Sequence, residues 1–169
     1  MEEERRDVTS TSRRRAAELD ARLESLYREQ RTELVRLAYL ITRSEAVAED
    51  VVHDSFLRLG SANGQVVNSH AYLRQIVVNQ ARQHLRRAKV EREHLPDPPP
   101  PVLPPELDEM WRLLDKLSPN HRTALVLRYY EDLPFAEIAR LMDCRVNTAR
   151  SLVHRALKRL RRMLDAQPE

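Results

Sequence analysis

A block of prolines near the middle of the chain constrains its fold more than any other feature. Seven of the ten prolines lie in the ten residues 96–105, whose sequence is PDPPPPVLPP. Proline fixes φ and lacks an amide donor, so neither a helix nor the interior of a sheet passes through such a segment. The block predicts an extended linker between two units, residues 20–95 and 106–164, each of which is small for a domain that is stable alone.

The ends of the chain carry no feature of a membrane or secreted protein. Residues 1–19 are dense in charge and lack the apolar core of a secretory signal, so we interpret them as a disordered tail. Residues 165–169 are expected to be a short second tail.

The apolar runs are short, such as the four residues 124–127, whereas a membrane span needs about 20. We therefore expect no contact with a membrane.

Composition excludes several classes of cofactor and active site. The chain has only two glycines, Gly60 and Gly64, so it contains neither a dinucleotide-binding G-x-G-x-x-G nor a P-loop. Its single cysteine, Cys144, indicates a reducing, cytoplasmic location and is expected to be a small buried hydrophobe. No metal-ligand spacing and no activated nucleophile is found. We expect no cofactor, no metal and no enzymatic activity.

Charge is distributed unevenly along a chain whose formal net charge is only +3. Residues 140–162 contain eight Lys or Arg and one acid, Asp143, and residues 74–89 contain five and no acid. The segment 45–54 is acidic. Two separate basic surfaces indicate two contacts with a polyanion, for which nucleic acid is the first candidate and solvated helix faces are the alternative.

Apolar residues in the first unit recur with the 3.6-residue period of a helix. The predicted helices span 20–42, 44–60 and 68–94, with a loop at 61–68. Ser44 is expected to cap the second helix and Gly60 to stop it, while Asn68 or Ser69 caps the third. The buried stripe of the second helix is expected to consist of Ala48, Val51, Val52, Ser55, Phe56 and Leu59.

The second unit has the pattern of a helix-turn-helix. A short amphipathic helix is expected to end near Leu117, and Ser118-Pro119 predicts an N-cap with proline at the first helical position. Leu133-Pro134 ends that helix. A two-turn helix at 135–142, a turn at 143–146 and a basic helix at 147–164 follow. Because no segment alternates with period 2, the predicted fold class is all-α.

The helical period divides the basic helix into a buried and an exposed side. The residues expected to pack between the last two helices are Ile138, Ala139, Met142, Val146, Ala149 and Val153. Those expected outside are Arg150, Ser151, His154, Arg155 and Lys158. Arginine can bind a guanine edge with two hydrogen bonds, which favours a DNA-reading helix. A basic helix that packs on an acidic protein is the alternative.

Several of these stretches resemble one known family. Residues 48–59 (AEDVVHDSFLRL), 71–76 and Asn79 resemble the promoter-opening domain of bacterial RNA polymerase sigma factors. Residues 117–122, 127–130, 137–139 and 148–156 are similar to their minus-35-binding domain. The order and the simple linker resemble the extracytoplasmic-function (ECF) group, group 4 of the sigma-70 family. The resemblance implies a factor that binds core RNA polymerase, recognises minus-35 and minus-10 elements and promotes promoter melting.

The resemblance assigns three sets of side chains. Asp50, His53 and Asp54 would dock on the polymerase, with His53 where the family usually has glutamine. The loop 61–68 would capture an unstacked base. The minus-10 set would be Asn63, Asn68, Tyr72, Arg74, Gln75, Asn79, Arg82 and Arg86. The minus-35 set would be Arg145, Asn147, Thr148, Arg150, Ser151, His154, Arg155 and Lys158.

The implied partners are core RNA polymerase, through its β′ clamp and β flap, and promoter DNA. The family also allows a dedicated anti-sigma factor. Two alternatives remain open at this point: a stand-alone DNA-binding regulator that uses only the C-terminal helix-turn-helix, and a helical adaptor that binds protein and no DNA. The first explains the basic block at 74–89 poorly, and the second explains neither block.

Overall fold

The computed structural model describes residues 2–62, 66–91 and 113–165. This part of the chain is helical between its turns and contains no β-strand, so the all-α prediction is confirmed. The helices are α1 (Glu2–Thr42), α2 (Glu45–Ser61), α3 (Ser69–Glu91), α4 (Pro119–Tyr129), α5 (Phe135–Met142) and α6 (Val146–Asp165), with a helical turn at 113–115. The proline linker 96–105 lies outside the described residues. We refer to 2–91 as the N-terminal unit and 113–165 as the C-terminal unit.

Helix α1 is longer than its predicted span. The prediction of a disordered tail at 1–19 is wrong in this respect, since the helix begins at Glu2 and not near residue 20. Glu, Arg and Ala favour helix in the first half of α1, and Arg14 pairs with Glu18 one turn later at 3.4 Å. Both side chains are exposed. The sequence here has no apolar stripe with a helical period, so periodicity could not reveal this part of the helix.

Helix α2 follows its sequence signals closely. Ser44 is its N-cap, and the hydroxyl oxygen accepts a hydrogen bond from the backbone of Val47 at 3.4 Å. All six residues of the predicted stripe are buried. Gly60, however, does not stop α2 but lies in its last turn. A Cβ at this position would be 3.2 Å from Cδ2 of Leu23, so glycine here allows α1 to approach closely.

Helix α3 completes a three-helix N-terminal unit. Asn68 is its cap, because the side-chain oxygen accepts a hydrogen bond from the backbone of Ala71 at 3.0 Å. The helix is described as far as Glu91, and its predicted end at residue 94 lies outside the described residues. Tyr27 and Phe56 meet edge to face between α1 and α2, with ring centroids 4.9 Å apart. The fully buried side chains of the unit include Leu37, Ile41, Val52, Leu73, Val77 and Val78.

Helix α4 is the central helix of the C-terminal unit. Pro119 occupies the first helical position, as predicted, but the Ser118 hydroxyl does not cap the backbone. It forms a hydrogen bond with Nδ1 of His121 at 2.7 Å. Six consecutive residues of α4, 122–127, are buried, because the helix packs against α1 on one side and against α5 and α6 on the others.

The predicted helix-turn-helix is formed by α5 and α6. Asp143 adopts the left-handed conformation (φ 52°) after α5, and the Cys144 amide donates to the Ala139 carbonyl at 2.9 Å. Cys144 is partly buried against the apolar core, as expected. The predicted inward set is buried with one exception, Val146, which is 41% exposed. Val146 is the first residue of α6 and lies beyond the overlap of the two helices.

The two units are in contact. Their buried apolar residues form one contiguous cluster that includes side chains from α1, α2 and α3 and from α4, α5 and α6. The guanidinium of Arg122, which is 6% exposed, donates to the Ile41 carbonyl at 2.8 Å and 3.2 Å. The sequence pattern shows two units and a linker, whereas the structure adds an interface between them.

Candidate nucleic-acid interface

The exposed face of α6 carries seven of the eight residues of the predicted minus-35 set, and the eighth, Arg145, lies in the turn just before it. Ala149, Val153 and Ala156 are buried at positions i, i+4 and i+7, which fixes the rotation of the helix about its axis. The remaining face is basic, because α6 contains no acid before Asp165. The exposed residues of the set are Arg145, Asn147, Thr148, Arg150, Ser151, His154, Arg155 and Lys158.

One of these arginines is positioned by an aromatic residue that the sequence analysis missed. The guanidinium carbon of Arg150 lies 5.4 Å from the ring centroid of Phe135, the first residue of α5. Arg128 contacts the same ring at 5.5 Å. A cation near an aromatic face is attracted to it, so Phe135 restricts the orientation of Arg150. No signal in the sequence joins positions 135 and 150, which meet only through the turn.

Helix α3 carries most of the predicted minus-10 set, in differing environments. Asn79 and Arg86 are exposed, while Tyr72 and Gln75 are half-buried. Asn68 is exposed but its side-chain oxygen is used as the helix cap. Asn63 lies outside the described residues. We name the residues of α3 in this set the strand face: Tyr72, Arg74, Gln75, Asn79, Arg82 and Arg86.

Two arginines of the strand face contact the C-terminal unit. Nε of Arg74 lies 2.7 Å from the carboxylate of Glu131, which follows α4. Nη1 of Arg82 donates to the carbonyl of Leu141 in α5 at 3.5 Å. Burial lowers the pKa of Arg82, and the charge of Arg86 lowers it further. The side chains of Arg74 and Arg82 are therefore partly covered by the C-terminal unit and not fully exposed to solvent.

The predicted polymerase-docking residues Asp50, His53 and Asp54 are all exposed on α2, opposite its buried stripe. Asp50 and Asp54 line a polar groove of about 310 Å³ between α2 and α3. Its lining also includes the basic side chains Arg58 and Arg87. The groove therefore has charges of both signs.

Residues 2–62, 66–91 and 113–165 contain no group of three or more His, Cys, Asp or Glu side chains placed to hold a metal ion. None of the helices in these ranges combines the length and the apolar character that a membrane crossing requires.

The chain matches two models of one protein family. Residues 26–91 match the model described as Sigma-70 region 2, and residues 107–160 match the model described as Sigma-70, region 4. The first range covers the acidic face of α2 and the strand face of α3, and the second covers the helix-turn-helix.

Curated relatives carry the corresponding names. The chain is 30% identical over 155 residues to the ECF RNA polymerase sigma factor SigJ of Mycobacterium tuberculosis, which covers 82% of this chain and 48% of SigJ. It is 28% identical over 155 residues to the RNA polymerase sigma-E factor of Streptomyces avermitilis, covering 85% of this chain and 86% of that factor. The chain thus spans about half the length of SigJ.

Solved structures show the same fold. The sigma factor RpoE of Bartonella quintana, solved in complex with the anti-sigma factor NepR, superposes with a TM-score of 0.71 at 20% identity, covering 86% of this chain and 98% of RpoE. The structure of Mycobacterium tuberculosis SigJ superposes with a TM-score of 0.64 at 26% identity, covering 80% of this chain and 52% of SigJ.

Proposed function

Since the chain belongs to the ECF group of the sigma-70 family of RNA polymerase sigma factors, we propose that it binds core RNA polymerase in the cytoplasm, recognises minus-35 and minus-10 promoter elements and promotes melting of the minus-10 region. Sigma factors are transcription initiation factors and not enzymes. The contribution of this chain is therefore binding free energy, which both units direct at DNA and at the polymerase.

The observation that carries the proposal is the face of α6. A helix-turn-helix places its second helix in the major groove, where the N-terminal residues of that helix contact base edges. Arg150 and Ser151 lie in the first two turns of α6, and Arg155 lies one turn further on the same exposed side. Arginine pairs with guanine through two hydrogen bonds, and the remaining basic side chains suit phosphate contacts.

The strand face of α3 supports the minus-10 part of the proposal. Its arginines suit phosphates, while Tyr72, Gln75 and Asn79 can stack on or form hydrogen bonds with unpaired bases. Each base that is stacked on protein contributes about 1–3 kcal/mol, which offsets part of the cost of separating the duplex. The loop 61–68, at the N-terminal end of α3, is proposed to capture one unstacked base.

The acidic face of α2 supports the polymerase contact. Asp50 and Asp54 are exposed and held on a helix whose opposite side is buried, so they form a rigid surface for a basic partner. The partner proposed for this surface is the β′ clamp of the polymerase. The β flap is proposed as a contact of the C-terminal unit.

An anti-sigma factor is proposed as a further partner. RpoE of Bartonella quintana, which shares the fold, was solved with the anti-sigma factor NepR. An anti-sigma factor would regulate this chain by covering surfaces that the polymerase or the promoter must reach.

The decisive experiment is transcription in vitro by core polymerase with this chain on a library of promoters. Arg150→Ala and Arg155→Ala should each weaken promoter binding by about 1–3 kcal/mol and relax discrimination at particular minus-35 positions. Arg161→Ala, which removes the same charge from a later turn of α6, is the matched control. If both variants lose the same affinity on all promoter sequences, the two arginines contact phosphates and not bases. If promoter binding is unchanged, the assignment of α6 to the major groove is refuted.

Retention of core polymerase separates the proposal from its alternatives. The full chain should bind core enzyme without DNA, and this binding should not require the minus-35 set. A stand-alone regulator would bind duplex DNA and leave the polymerase unbound. A protein-interaction adaptor would show no salt-dependent binding to DNA.

A further inference from the structure

The strand face of α3 is in contact with the chain's own C-terminal unit. We propose that this face is also the docking surface for that unit, so that the closed arrangement and the binding of a promoter strand exclude each other. The inference rests on the proposed function, because it takes the strand face as the surface that meets the melted DNA. In this arrangement a carboxylate of the same chain competes with a DNA phosphate for an arginine of the strand face.

Glu131 is the residue that competes most directly. Its carboxylate lies 2.7 Å from Nε of Arg74, and its side chain is only 14% exposed. Its amide donates to the Val126 carbonyl at 3.2 Å, and that of Leu133 donates to the Leu127 carbonyl at 3.1 Å, which ties the segment to the end of α4. The carboxylate therefore occupies a fixed position on the guanidinium that a DNA phosphate would otherwise use.

Arg82 is covered by the other end of the C-terminal unit. Its guanidinium reaches the Leu141 carbonyl in the last turn of α5, close to Asp143 and Cys144 of the helix-turn-helix turn. Arg74 and Arg82 lie eight residues apart on α3, or about two helical turns. The C-terminal unit therefore covers a length of the strand face and not a single point.

Contacts away from the strand face hold the two units together. Arg122, buried in α4, donates twice to the Ile41 carbonyl in the last turn of α1. Carbonyls in the last turn of a helix have no partner within it, so a buried cation there satisfies both charge and hydrogen bonding. Asp115 also accepts a hydrogen bond from Nη2 of Arg43 at 3.1 Å. The closed arrangement therefore depends on contacts across the whole interface between the two units.

The closed arrangement covers one DNA-binding surface and leaves the other open. All eight residues of the minus-35 set, seven on α6 and Arg145 just before it, are exposed while Arg74 and Arg82 are engaged. Opening the interface should therefore change single-strand binding much more than duplex binding. A general increase in positive charge would raise both.

The test is Glu131→Gln in the full chain, with Asp132→Asn as the matched control. Both variants remove one carboxylate from adjacent positions, but Asp132 is 94% exposed and pairs with Arg128 of its own unit. Affinity is measured for a fluorescein-labelled single-stranded 15-mer of random sequence and for a random duplex. Opening is measured by X-ray scattering as an increased radius of gyration.

Glu131→Gln should bind the single strand about 5- to 30-fold more tightly, the factor expected for loss of one partly buried charged contact. Its radius of gyration should rise, while duplex affinity changes less than twofold. Asp132→Asn should match the parent chain. Asp115→Asn, which weakens the interface far from α3, should shift both readouts in the same direction as Glu131→Gln, and circular dichroism confirms that each variant is folded.

Two results would overturn the inference. Glu131→Gln and Asp132→Asn could behave alike, which would make Glu131 an ordinary surface acid. Alternatively, the interface could open without any gain in single-strand binding, which would make closure irrelevant to DNA. A failure of the proposed function gives a different result from a failure of this inference. In that case no variant would support transcription with core polymerase, whatever its radius of gyration.

Discussion

Phe135 shows how one aromatic residue can prepare a base-reading arginine. Its ring holds Arg150 at 5.4 Å and Arg128 at 5.5 Å, on the edge of the helix-turn-helix. Side chains that are held in place before binding lose less entropy when they bind. The ring therefore acts on DNA through Arg150, without itself needing to contact a base.

Phe135→Leu keeps an apolar side chain in the core and removes the aromatic face. We expect promoter-duplex affinity to fall about two- to fivefold, equivalent to a cation–π contribution of about 0.5–1 kcal/mol. Titration of a minus-35 duplex measures the effect. The loss should disappear when the comparison is repeated in an Arg150→Ala background. If it persists there, Phe135 acts through packing alone.

His121 makes the stability of the C-terminal unit sensitive to acid. Burial lowers its pKa from 6.5, and the charges of Arg155 and Arg159 on α6 lower it further. The unfolded chain therefore takes up the proton first as the pH falls. The stabilisation is complete above about pH 6.5 and is lost as the pH falls through the folded-state pKa.

His121→Gln should make the free energy of unfolding less dependent on pH in this range. Urea unfolding at pH 7.5 and pH 5.5 should show a smaller drop in the free energy of unfolding for the variant than for the parent chain. His53→Gln, an exposed position on α2, is the control and should retain the parent's drop. An identical drop in His121→Gln would mean that another group is responsible.

At the scale of elements, α2 separates two functions on two sides of one helix. Its stripe from Ala48 to Leu59 contributes to the core of the N-terminal unit, while Asp50 and Asp54 lie outside the stripe and are exposed. Stability and docking should therefore respond to different substitutions. The separation is possible because residues three or four apart share one face of a helix, so the residues between them can lie on another face.

Asp50→Ala with Asp54→Ala should leave the helicity and melting temperature almost unchanged, since alanine is the better helix former. Retention of core RNA polymerase should fall at least tenfold. Glu24→Ala with Glu29→Ala removes two exposed acids from α1 and is the control for net charge. A double Asp variant that unfolds would show instead that these carboxylates stabilise α2.

For the whole molecule, the two units have to be both joined and separable. The minus-35 and minus-10 elements lie several turns of DNA apart, and one turn measures about 34 Å. The proline linker 96–105 would span about 31 Å as polyproline II, whereas a flexible Gly/Ser chain of ten residues averages about 16–19 Å. Stiffness in the linker would favour the open arrangement that a promoter requires.

Replacement of residues 96–105 by Gly/Ser should preserve duplex binding by α6 but lower open-complex formation and transcription. A longer Gly/Ser segment should restore part of the loss, because it recovers the reach of the native linker. Permanganate footprinting of the melted region measures opening. Full activity with a flexible linker of the same length would show that the segment is a passive tether.

The sequence by itself determined what depends on neighbours along the chain. The buried stripe of α2, the Ser44 cap and the exposed face of α6 were all predictable, because a 3.6-residue period and a cap require only residues within a few turns of one another. The helical start of α1 was not, since its sequence has no apolar stripe to reveal it. Val146 was misplaced because its position at a helix end decides its exposure.

Only the tertiary structure decided what depends on residues that are distant in sequence. The contacts of Phe135 with Arg150, of Arg122 with the Ile41 carbonyl and of Arg74 with Glu131 join positions from 15 to 81 residues apart. Their charges are visible in the sequence, but their partners are chosen by the way the helices pack. Whether an arginine of α3 faces solvent or a carboxylate is therefore a property of the interface between the two units.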